Sequence, residues 1–204
     1  LHALADHLGE DFCTAVERLH ACRGSVLVAG MGKAGLIGQK IVATLASTGT
    51  RSHFVHPSEA IHGDLGRIHR DDVLLIMSYS GETEEVVRLL PAVKQLGATV
   101  IAITGQPAST LGRFAQVTLD LGSIREACPL GLAPSASTTA MLALGDALAL
   151  VLSQMRHFSE EDFARFHPGG SLGRKLAKVE EAMRPLEQCR IARVEQTVRE
   201  ALLL

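Results

Sequence analysis

Five short aliphatic or β-branched runs constrain this chain more than any other feature: SVLVAG (Ser25 to Gly30), RSHFVH (Arg51 to His56), DVLLIMSYS (Asp72 to Ser80), ATVIAITG (Ala98 to Gly105) and VTLDLG (Val117 to Gly122). Continuous apolar strands of this kind fit a sheet covered on both faces. Between them lie the helix-length segments KAGLIGQKIVATLASTG, GETEEVVRLLPAVKQLG and STLGRFAQ, two of which carry apolar residues at helical spacing and end at Gly. Strand and helix signals in alternation predict right-handed βαβ crossovers, and so an α/β fold in three layers around a mainly parallel sheet.

Leu1 to Arg23 reads as one amphipathic helix before the first strand. After the last strand come an apolar helix reaching about Arg156 and a helix over SEEDFARF, which HPGGSLG (His167 to Gly173) ends in a turn. The tail beyond Lys175, with VEEAMRP and TVREALLL, reads as the entry into another unit. A length of 204 residues fits one main domain with a small appendage.

Net charge is -2 without a run of like charges, which gives no electrostatic footprint for nucleic acid or an anionic membrane. Aromatic content of 3% without Trp leaves little to stack on bases, so a small molecule or a protein is the expected partner. Cys13, Cys22, Cys128 and Cys189 lie far apart and form no C-x-x-C pair, so reduced thiols in the cytoplasm are expected rather than disulfides or a zinc site. The apolar stretch Ala140 to Leu152 is shorter than the roughly 20 residues of a membrane span and carries Asp146, so a buried core helix is expected.

Two loops are candidates for holding phosphate. In VLVAGMGKAG, Gly30, Gly32 and Gly35 match G-x-G-x-x-G between a strand and a helix, the spacing of a dinucleotide fingerprint. The carboxylate that such a site places about 20 residues on, for the ribose hydroxyls, is missing, because the second strand ends at His56-Pro57. Lys33 is not followed by the Ser or Thr of a Walker loop, and the glycines alternatively serve only the strand-to-helix turn. In SYSGETEE, Ser78, Ser80 and Thr83 surround Gly81 at an expected helix N-terminus, where free N–H groups and the helix dipole favour an anion. Plain N-capping would account for one of these hydroxyls rather than three.

The blocks GMGKAGLIGQKIVATLASTGT, HPSEAIHGDLG, SYSGETEE, EACPLGLAPSAST with LALGDALA, and EEDFARFHPGGSLGRKL together resemble the sugar isomerase (SIS) domain of the arabinose 5-phosphate isomerase family, from about Val26 to Leu176. The resemblance implies a three-layer α/β/α sandwich with a five-stranded parallel sheet over residues 1–176. It makes 177–204 a linker and the start of a CBS domain. It further implies interconversion of D-ribulose 5-phosphate and D-arabinose 5-phosphate on the route to Kdo, and a cytoplasmic homotetramer with sites near its subunit interfaces. Two positions depart from the common pattern: Ala34, where Ser is common, and Tyr79, where Asn is frequent although Tyr also occurs.

An aldose–ketose isomerisation through an enediol opens the sugar ring, moves a proton between C1 and C2 and stabilises negative charge on oxygen, so it needs acid–base groups and an electrophile but no redox cofactor. The resemblance places Lys33, Glu85, Glu126 and His167 in the active site, with Gly32, His62, Ser78, Ser80, Gly81 and Thr83 binding substrate and no metal ligands. Glu126 is the expected base, with a pKa raised by burial. His167 would open the ring or protonate an oxygen, Lys33 would offset phosphate or enediolate charge, and Glu85 would orient sugar hydroxyls. The competing readings are a phosphosugar sensor without turnover, an SIS isomerase of another sugar phosphate, and a dehydrogenase.

Overall fold

The computed structural model describes residues 1–170 and 179–203. They form two compact units, Leu1–Ser159 and Glu160–Leu204, so residues 160–170, read from sequence as part of the first domain, fall in the second unit. The Ser171-Leu172-Gly173 part of the HPGGSLG turn lies outside the described residues.

The first unit opens with α1 (His2–His7) and α2 (Glu10–His20). The single N-terminal helix expected from sequence is therefore two. Leu8 turns extended, with φ −73° and ψ 96°, and Gly9 takes the N-cap position of α2. Glycine costs about 1 kcal/mol in a helix interior relative to Ala, so the break falls where continuing the helix is least favourable.

The order then runs β1 (Val26–Gly30), α3 (Gly32–Ser47), β2 (Ser52–Val55), α4 (Pro57–Ile61), a 3-10 turn (Asp64–Arg67), β3 (Val73–Met77), α5 (Glu84–Leu96), β4 (Thr99–Thr104), α6 (Thr110–Phe114), β5 (Val117–Asp120) and α7 (Ala136–Met155). The strands pair in the order β2-β1-β3-β4-β5, all parallel, as the apolar runs predict. Val28, for example, lies level with Phe54 on one side and Leu75 on the other.

Because successive side chains of a strand point to opposite faces, the sheet divides its residues between two cores. Val26, Val28, Leu75, Met77, Ile101 and Ile103 pack with Leu19 of α2, Ile41 and Leu45 of α3 and Met141, Leu144 and Leu148 of α7. Leu27, Ala29, Leu74, Ile76, Val100 and Ala102 pack with Ala60 of α4, Val86, Leu89 and Val93 of α5 and Leu111 of α6. Full burial of each Leu or Ile is worth about 1.5–3 kcal/mol, which makes these two faces the main source of cohesion.

The helix α7 is longer than its apolar stretch. With 20 residues it is long and apolar enough to cross a membrane by length and composition, so shortness does not exclude a span. What identifies it as a core helix is its packing. Met141, Leu144, Leu148 and Leu152 are buried, and Gly145 admits Ile41 so closely that an added Cβ would lie 2.2 Å from Ile41 Cδ1. Asp146, on the same helix, takes the Lys40 ammonium at 2.6 Å.

In the second unit, α8 (Glu160–Phe166) is followed by short helices at Val179–Ala182 and Val198–Leu202. The last begins with a capping box in which Thr197 N–H and Glu200 N–H each donate to the other residue's side chain.

Candidate active site

Strand order reverses between β1 and β3, and in an open parallel sheet ligands bind at the carboxyl ends of the strands where such a reversal parts the loops. A cavity of about 590 Å³ opens there. Its walls come from the β1–α3 turn (Lys33), the β3–α5 loop (Ser78, Tyr79, Ser80, Thr83) and the β5–α7 loop (Glu126) with the start of α7 (Ser137).

The β1–α3 glycines have distinct tasks. Gly32 has φ +55°, a left-handed conformation that glycine adopts without strain. An added Cβ at Gly35 would lie 2.6 Å from Gly30 O, so the strand and helix meet too closely for a side chain. Backbone geometry thus accounts for the G-x-G-x-x-G pattern. Lys33 carries its chemistry, exposed at the cavity wall beside a helix start that no side chain caps.

The hydroxyls of SYSGETEE are not spent on capping. Thr83 holds the N-cap position of α5 without making a cap bond; its Oγ1 pairs with Ser78 Oγ at 2.7 Å. Ser78 Oγ also accepts Gly81 N–H at 3.0 Å, and Ser80 Oγ accepts Glu82 N–H at 3.2 Å. Gly81 has φ +65°, and a Cβ there would overlap Ser109 Oγ at 1.8 Å. Glu82 braces the loop by accepting Thr110 N–H at 2.6 Å, a bond that lowers its pKa. The result is a preformed loop in front of α5, whose first N–H groups receive no side-chain cap, as a site for an anion requires.

Glu126 corrects an expectation. Its Oε2 accepts Ser135 N–H and Ala136 N–H, both at 2.8 Å, with Ser135 Oγ at 3.2 Å and Ser137 N–H at 3.4 Å, while Ser137 Oγ donates to Oε1. The carboxylate therefore closes the N-terminus of α7, where the helix dipole favours negative charge. Its pKa is lowered to about 2, chiefly by the Ser137 hydroxyl and then by the backbone N–H groups of Ser135, Ala136 and Ser137. Burial was expected to raise it. Glu126 is only half-buried, and hydrogen bonds to the charged form outweigh desolvation.

The remaining candidates differ in where they stand. Glu85, half-buried in the first turn of α5, and His62, exposed at the end of α4, do not line the cavity. Gly32 and the buried Gly81 sit within the lining loops without forming its wall. His167 belongs to the second unit, where its Nδ1 lies 2.9 Å from Phe163 O and its ring stacks on Phe163 with centroids 3.9 Å apart. Sequence reasoning missed Ser135 and Ser137; a Ser/Thr run just before an apolar helix was their available signal. Among the described residues, no group of three or more His, Cys, Asp or Glu side chains is arranged to hold a metal ion.

A parallel sheet in this order, with an uncapped helix start at α5 and a lysine in the first turn of α3, defines a doubly wound α/β domain whose ligand crevice suits an anion. The chain belongs to the SIS domain family, whose sequence profile matches residues 19–151. Among curated proteins it is similar to the arabinose 5-phosphate isomerase KdsD of Pseudomonas aeruginosa, 57% identical over 182 residues that cover 89% of this chain and 56% of that protein. KdsD of Escherichia coli K12 is 48% identical over 204 residues, covering 100% of this chain and 62% of that protein. The chain thus spans little more than half the length of these relatives. A solved structure from E. coli CFT073, in complex with A5P, superposes with a TM-score of 0.80 at 42% identity, covering 82% of this chain and 89% of that one. These relatives bear out the resemblance read from the sequence blocks and leave the dehydrogenase reading without support.

Proposed function

We propose that the chain is the isomerase domain of an enzyme that interconverts D-ribulose 5-phosphate and D-arabinose 5-phosphate through an enediol, feeding Kdo synthesis in the cytoplasm. The observation that carries the reading is the meeting of Lys33, the Ser78–Thr83 loop and Glu126 on one cavity. The similarity to arabinose 5-phosphate isomerases and to a structure holding A5P supports the choice of substrate.

In this reading the substrate phosphate sits before α5, held by its free N–H groups and by Ser80 and Thr83, while buried Ser78 keeps the loop in shape. Lys33 offsets the charge of the phosphate or of the enediolate. Glu126 stays ionised throughout the working pH range and accepts the migrating proton. A carboxylate this acidic holds a proton briefly, so a second group must take over protons at oxygen. His167 fills that part on the strength of the resemblance. Glu85, Gly32, Gly81 and His62 complete the substrate contacts on the same ground. The resemblance also supports a homotetramer with sites near the subunit interfaces, and a CBS module entered at 177–204.

The test is a substrate panel. The chain is expected to convert ribulose 5-phosphate to arabinose 5-phosphate while leaving a 3-hexulose 6-phosphate and sedoheptulose 7-phosphate unchanged. Turnover of either of those instead would move the assignment to another sugar phosphate, and binding without turnover would make the chain a sensor.

A further inference from the structure

Tyr79 is the one side chain of the anion loop that leaves it for the β5–α7 loop. Its backbone O accepts Thr104 Oγ1 at 3.1 Å and Gly105 N–H at 3.0 Å, which anchors it to the end of β4. Its ring lies close against Gly105, where an added Cβ would come within 2.3 Å of the ring. Its phenol oxygen then accepts Ile124 N–H at 2.7 Å and lies 3.3 Å from both Gly122 O and Ile124 O, to one of which it donates at a time. Ile124 stands two residues before Glu126, and Tyr79, Ile124 and Glu126 all line the cavity.

The stretch from Leu121 to Ser135 contains no helix or strand, so beyond the Leu121 N–H bond to Thr104 O at 2.8 Å its course depends largely on side-chain ties. Glu126 fixes its far part to α7, and Tyr79 fixes its near part to the anion loop. With the α7 tie alone, the backbone leading into Glu126 could shift against the anion loop and strain the carboxylate's hold on α7. Displacement of a reacting group by about 1 Å already costs large factors in rate.

We infer that Tyr79 is a positioning residue: it sets the distance between the bound phosphate and the Glu126 carboxylate, coupling the grip on the substrate to the proton-transfer step. This rests on the isomerase reading above. In that role the hydroxyl acts through the β5–α7 loop and not on the substrate itself. Its removal therefore acts on turnover rather than on binding.

The experiment uses Tyr79→Phe, which keeps the ring and loses the hydrogen bonds, and Gly105→Ala, which keeps the hydroxyl and displaces the ring. Both are expected to lower kcat for ribulose 5-phosphate about five- to tenfold, the size of one lost neutral hydrogen bond, with KM and the inorganic phosphate dissociation constant changed less than twofold. Amide exchange at Ile124 should quicken by a similar factor in each. A kcat within twofold of wild type, or a loss confined to KM, would overturn the inference, as would lower thermal stability with unchanged kcat. A wild-type chain without turnover would instead contradict the isomerase reading, and amide exchange at Ile124 would still show whether the tie exists.

Discussion

The two ends of the sheet use the same device to opposite effect. At the amino end, Asp72 accepts Ser25 N–H at 2.7 Å and His69 N–H at 2.8 Å, and it is buried, with 5% of its surface exposed. The chain folds tightly over it: a Cβ at Gly24 would lie 2.1 Å from Asp72 Oδ1. At the carboxyl end, Glu126 likewise gathers backbone N–H groups, but it remains half-exposed on the wall of a 590 Å³ cavity. A carboxylate tie therefore does not mark a functional site by itself. In a βαβ fold the helices that follow strands present their N–H termini at the carboxyl end, so that end is the one suited to anions.

Replacing the two carboxylates separates the two roles. Glu126→Ala should lower kcat for ribulose 5-phosphate by about a hundredfold or more, the usual weight of a positioned acid–base group, while the protein remains folded by circular dichroism. Asp72→Ala should do the reverse. It leaves two backbone N–H donors unpaired in a buried place, and urea titration should show a loss of about 2–3 kcal/mol with kcat per folded molecule unchanged. Equal effects of both on turnover would erase the contrast between the ends.

Acid sharpens it further. The Glu126 pKa falls from an ordinary 4.5 to about 2 on folding, so its ionised form stabilises the native state above the unfolded value, and that stability is lost as pH drops from about 4.5 toward 2. The difference in thermal midpoint between wild type and Glu126→Gln should be constant above pH about 5 and shrink steadily below it. A smaller difference is expected in thiol chemistry. Cys22, at the amino end, has its pKa raised by burial, whereas backbone N–H groups of Ala133 and Leu132 lower that of Cys128 in the β5–α7 loop. Iodoacetamide at neutral pH should label Cys128 several-fold faster, read by peptide mass spectrometry.

The sheet was legible because its evidence is local: VLVAG, VLLIM and the VIAI centre of TVIAIT are apolar throughout, and only a doubly covered strand tolerates that. The anion loop was legible for the same reason, since its three hydroxyls fall within six residues. What stayed hidden depends on contacts between distant residues. The Tyr79 phenol meets Ile124 across 45 positions, and the Glu126 carboxylate finds its donors only when the loop folds back on α7. The pKa of Glu126 was misjudged because its position after the last strand signals proximity to the cavity but says nothing of the donors waiting there. The break at Leu8 and Gly9 was masked by an amphipathic pattern that continues across it.

The most direct measurement is to supply ribulose 5-phosphate in deuterated water and follow the products by NMR. Proton transfer through an enediol held at the carboxyl-end cavity predicts arabinose 5-phosphate carrying deuterium at C2, with the signal lost in Glu126→Ala. Measurable binding of ribulose 5-phosphate with neither product nor exchange at carbon would contradict it.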